Sequence, residues 1–150
     1  MARDSRSVRF QEFRAEADLL LPKLGPARVS HPEELKRILE HLEKAGVELV
    51  IRSKCLAYSP ATGQPGRMIL DEEFSIAAIR HEYRHFLDHH AMGYPGLRPF
   101  LEDFRLFARF EVRGYLEEIR TAREMKHGES VKKIIEQMKS RVRELLGDTR

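Results

Sequence analysis

The sequence has little with which to tie itself together covalently or to sit in a bilayer. A single cysteine, Cys55, excludes an internal disulfide framework and a cysteine-built zinc knuckle. Long hydrophobic runs are missing: the stretch 17–21, interrupted by Asp18, is far too short to cross a membrane. Residues 1–6 lead into no apolar segment, so a secretory signal is not expected. Charge of one sign is lacking too. The 27 basic and 24 acidic residues are interspersed and leave a net charge of +3, whereas a dedicated nucleic-acid binder segregates its basic residues. Repeats, low-complexity tracts and Gly/Ser linkers are also absent. What remains, 150 residues of which 41% are hydrophobic and 34% charged, has the composition of a water-soluble chain. It is long enough to bury its own core, so one domain over 1–150 is expected, compatible with a reducing, cytoplasmic compartment.

Apolar residues at helical spacing, including Phe10, Phe13, Ala17, Leu20 and Leu24, predict a first helix over 8–24 that ends near Pro22. Ser30 and Glu33 have the spacing of a capping box, and Leu35, Ile38, Leu39 and Leu42 then line one helix face up to Gly46. The short β-rich runs 47–51, 54–58 and 67–70 predict a small, mostly antiparallel three-stranded sheet. Helices are expected over 74–92, 100–126 and 130–146, divided by Gly93-Tyr94-Pro95-Gly96 and by His127-Gly128. The layout is α+β, with the sheet packed against the helix over 74–92 and further helices.

That helix carries His81-Glu82-Tyr83-Arg84-His85, an H-E-x-x-H pattern. Residues four apart stand one turn above each other, so His81 and His85 can hold one Zn²⁺ from a rigid support. Glu82, beside the first ligand, can act as general base towards a metal-activated water. Phe74, Ile76, Ala77, Ala78, Ile79, Phe86 and Leu87 surround the pattern, and polar groups buried among them need partners.

A third ligand is required. His89 lies two turns from His81, roughly 12 Å along the axis, which is poor geometry for a shared ion. The metzincin pattern fails because Asp88 and Ala91 stand at its Gly and His positions. Glu111 fits best. It lies beyond the Gly/Pro reversal, among Phe104, Phe107, Ala108 and Tyr115 on a face that should turn inward. Glu118, two turns further, either orients a ligand histidine or ligates in place of Glu111, and Asp88 is another alternative. Glu117 should face solvent.

H-E-x-x-H followed by a helix-borne glutamate resembles the gluzincin branch of the zincin-like metallopeptidases. The segment 79–88 is similar to the short zincin domains of bacterial polymorphic toxins, as is the Glu111-x-x-x-Tyr115-x-x-Glu118 helix after it. Regulatory proteases of the ImmA/IrrE type share the logic, but Gly114 stands where their pattern carries alanine. The resemblance implies a zinc peptidase that binds an extended peptide along an edge strand, either 67–70 or 54–58. It implies a donor for the oxyanion of the intermediate, with Tyr115 the best candidate ahead of Tyr94 and Arg113. A toxin would be delivered to a target cell and matched by an inhibitor or immunity protein. The competing expectation is a non-catalytic module, regulatory or structural, that keeps the metal.

Other features read as architecture. His89 and His90 suit a helix C-terminus, and Cys55 suits a small buried strand residue, with an inhibitory thiolate as its alternative. The last helix has an apolar stripe, Val131, Ile134, Ile135, Met138, Val142 and Leu145, that should pack on the domain or on a second subunit. Its basic residues, Arg141 among them, read as a solvated face.

Overall fold

The computed structural model describes residues 17–147. The helix expected over 8–24 falls largely outside them, and its described end forms the short helix α1, Leu21–Leu24, with Pro22 in its first turn. After it come α2 (Ala27–Ser30), α3 (Pro32–Lys44), β1 (Glu48–Ile51), β2 (Ala57–Ser59), β3 (Arg67–Leu70), α4 (Ile76–Ala91), α5 (Arg98–Glu102), α6 (Phe104–Glu124) and α7 (Gly128–Leu146). The class is α+β, as the sequence implies. Among the described residues no helix is long and apolar enough to cross a membrane.

In α3, Leu35, Ile38 and Leu42 are buried along one stripe, with Pro32 at the start and Glu33 and Glu34 in the first turn. The expected capping box does not form. Ser30 ends α2, its hydroxyl meets the His31 ring at 2.8 Å, and His31 becomes the residue that opens α3. The chain passes from one helix into the next with no extended residue for a serine cap.

The sheet is mixed, in the order β1-β3-β2. β1 runs parallel to β3, Leu49 opposite Met68, and β2 runs antiparallel to it, Tyr58 opposite Met68. The expected antiparallel arrangement therefore holds only for β2 and β3. The difference arises because β3 inserts between β1 and β2, and Gly66 makes room for its contact with β2. A side chain there would place its Cβ 1.9 Å from the Ser59 carbonyl oxygen, so only glycine lets the chain enter β3 against the end of β2. Strand 67–70 is the central strand.

Helix α4 is set by its N-terminus. The Ser75 hydroxyl accepts from the Ala78 amide, and the buried Asp18 carboxylate accepts from the Ser75 amide (2.7 Å) and hydroxyl (2.6 Å). Ile76, Ile79 and Phe86 join α3 and the sheet in one cluster. Ala77, His81 and His85, spaced by one turn each, lie on another stripe, where Ala77 joins Tyr115, Ile119 and Ala122 of α6. The helix expected over 100–126 is split at Asp103, which is extended and accepts from the Arg105 and Leu106 amides to start α6 afresh. Helix α6 packs against α4 on one side and α7 on the other.

Candidate metal centre

Helix α4 contributes His81 and His85, and α6 contributes Glu111. The ligand atoms of all three lie within 4.8 Å of one another. Glu111 Oε1 is 2.8 Å from His85 Nε2 and 3.9 Å from His81 Nε2. Those two distances bracket the roughly 3.3 Å between ligands of a tetrahedral Zn²⁺ with bonds near 2.0–2.1 Å. Two imidazoles and a carboxylate are the donor set of a catalytic zinc site, so the residues fit the ion in type, number and spacing. The sequence expectation of His81, His85 and Glu111 is thus met as a spatial group.

Each side chain is held from behind. His81 Nδ1 donates to Glu118 Oε2 at 2.6 Å, which turns Nε2 towards the centre. Glu118 thus stands behind a candidate ligand histidine and outside the candidate ligand group. The His85 ring stacks on Phe110 at 4.2 Å between centroids. Tyr115 sets its ring edge-on to His81, 4.8 Å between centroids. Glu82 Oε1 accepts the Tyr58 amide of β2 at 2.7 Å, while Oε2 lies 3.8 Å from His81 Nε2 and 4.0 Å from His85 Nε2. That carboxylate borders the centre with one oxygen fixed to the sheet and the other facing the imidazoles.

Gly114 makes room for the arrangement. A Cβ at this position would come within 2.5 Å of His81 Nε2 and Cδ2, so α6 can approach the imidazole this closely only without a side chain. The glycine that departs from the ImmA/IrrE pattern has a steric reason here.

Electrostatics follow from burial and crowding. Burial works against charge on His81, but Glu111 and Glu118 outweigh it and raise the imidazole to about 10. Burial also opposes charge on Glu111, yet His81 and His85 beside it hold its carboxyl well below the usual range. Glu82 goes the other way: burial raises it, against the pull of the two histidines, which suits a proton acceptor. Burial likewise raises the Tyr115 phenol, keeping it a neutral donor.

Compared with protein-family models, curated proteins and solved structures, this chain matches none significantly. The centre rests on its own geometry.

Other sequence candidates lie elsewhere. Arg113 forms two bonds to Asp88, at 2.7 and 2.9 Å, and the Tyr94 hydroxyl meets His90 Nδ1 at 2.7 Å. His89 is fully buried and pairs with the Tyr58 hydroxyl at 2.7 Å, locking the end of α4 to β2. Cys55 is half-buried in the β1–β2 connection and is not in the ligand group. Glu117, expected to face solvent, is buried under ion pairs with Arg84 and Arg120. Strand 67–70 offers no edge for a peptide because β1 and β2 take both its sides, whereas β2 is an edge strand, with its Tyr58 amide donated to Glu82. The residue that sequence reasoning missed is Arg141. It is 4% exposed, and its Nε donates to Glu111 Oε2 at 2.9 Å. A signal was available: Arg141 falls on the inward stripe of α7, between Ile134 and Leu145.

Proposed function

We propose that this chain is a zinc-dependent peptidase of the zincin-like type, as its resemblance to gluzincin domains implies. The observation that carries the reading is Glu82, a buried carboxylate whose Oε2 lies about equally far from both ligand imidazoles without belonging to the ligand group. A purely structural site has no use for such a neighbour. When bound, Zn²⁺ supplies Lewis-acid polarisation of a carbonyl and acidifies water. His81, His85 and Glu111 hold the ion, and Glu118 fixes the His81 tautomer. Glu82 Oε2 takes the proton from a water attacking the peptide carbonyl and returns it to the departing amine as the C–N bond breaks. Tyr115, kept neutral by burial, donates to the developing oxyanion. The substrate is a protein or peptide approaching beside β2. The similarity to polymorphic-toxin domains supports a toxin or effector role with an inhibitor or immunity partner.

One observation favours a second reading, a non-catalytic module that uses the metal for stability or regulation. His81, Glu82, His85 and Glu111 are all between 1% and 3% exposed, so a polypeptide reaches them only after an opening movement. Glu82→Gln separates the two. The variant should keep its zinc and lose about 10²–10⁴-fold in hydrolysis of a peptide library. Equal cleavage by variant and wild type would overturn the proposed mechanism; zinc-loaded protein that cleaves nothing in either form would favour the module.

A further inference from the structure

Helix α7 reaches into the centre through one buried cation. The Arg141 side chain is 3% exposed. Its Nε donates to Glu111 Oε2 at 2.9 Å, Nη1 donates to Glu144 Oε1 at 2.6 Å, and the guanidinium lies 5.2 Å from the centre of the Phe107 ring. A guanidinium this deep is costly unless its charge and its donors are matched. Two carboxylates match it: Glu144, which is half exposed, and Glu111 of the candidate ligand group, which is buried with it.

The two oxygens of Glu111 are therefore divided. Oε2 belongs to Arg141, and Oε1, 2.8 Å from His85 Nε2, is turned to the imidazoles. Arg141 Nε engages that one oxygen, while Nη1 is given to Glu144.

We propose that Arg141 is the positioning residue of the centre, holding Glu111 so that it ligates through Oε1 alone and leaves one coordination position open. This rests on the reading of His81, His85 and Glu111 as metal ligands, and does not require the site to be a peptidase. With Oε2 engaged by Arg141, Glu111 cannot close on the ion with both oxygens. Released from Arg141, it can, and the site would fill and lose its open position.

The test compares wild-type protein with Arg141→Met, Arg141→Gln and Arg141→Lys, reading Zn²⁺ affinity by chelator competition and coordination by the visible spectrum of the Co²⁺-loaded protein. Met and Gln should each weaken zinc binding by roughly 10–100-fold. Their cobalt bands should lose intensity as the coordination number rises. Lys, which keeps the charge, should recover most of the affinity. Gln carries the test should the Met variant fail to fold. Variants that melt earlier yet keep wild-type affinity and spectrum would overturn the proposal, leaving Arg141 a packing residue. Wild-type protein that takes up neither Zn²⁺ nor Co²⁺ would overturn the metal reading itself, a different and distinguishable failure.

Discussion

His81 has different neighbours on its two nitrogens: Nδ1 is given to Glu118, and Nε2 is directed at the ligand group across the bare backbone of Gly114. Gly114 decides how closely the helix can approach that ring. Alanine is the better helix former by about 1 kcal/mol, so on local grounds Gly114→Ala should stabilise α6. The structure predicts the opposite for the centre. A methyl 2.5 Å from Nε2 must push the ring or the helix aside. Zinc affinity should therefore fall by at least the roughly 10–100-fold seen when a supporting group is lost. Chelator competition checks this, and unchanged affinity would mean that the His81 ring does not sit against α6.

Among the elements, α4 bears the site and its N-terminus is the joint that places it. Ser75→Ala removes the acceptor of the Ala78 amide and one of the two donors to the buried Asp18 carboxylate. It should cost about 1–3 kcal/mol in urea unfolding of the metal-free chain. A loss below about 0.5 kcal/mol, the range of an ordinary surface change, would contradict that role. The helix itself was legible, because Ile76, Ile79, His81, His85 and Phe86 repeat at helical spacing over about three turns. Partners distant in sequence were not. Nothing near Ser30 announces that α2 will run straight into α3, and nothing within 47–58 announces that β3 will insert between β1 and β2. Asp103, an ordinary acidic residue in an apparently continuous helix, becomes legible as a cap only once α5 turns away from α6.

At the scale of the molecule, the centre depends on three helices and a strand meeting at one point. The α4 and α6 contributions could be read in advance, because H-E-x-x-H and Glu111 are spaced by local geometry and an inward apolar face. The contributions of β2, through the Tyr58 amide, and of α7, through Arg141, are tertiary and had no local pattern beyond the inward stripe of α7. All of them serve the same claim, that His81, His85 and Glu111 form a site for one Zn²⁺. The most direct test is zinc titration of the purified full chain, with bound metal counted by plasma emission spectrometry after gel filtration. One ion per wild-type chain is expected, and none retained by His81→Ala or His85→Ala. Full retention in either variant, or no uptake by the wild type, would contradict it.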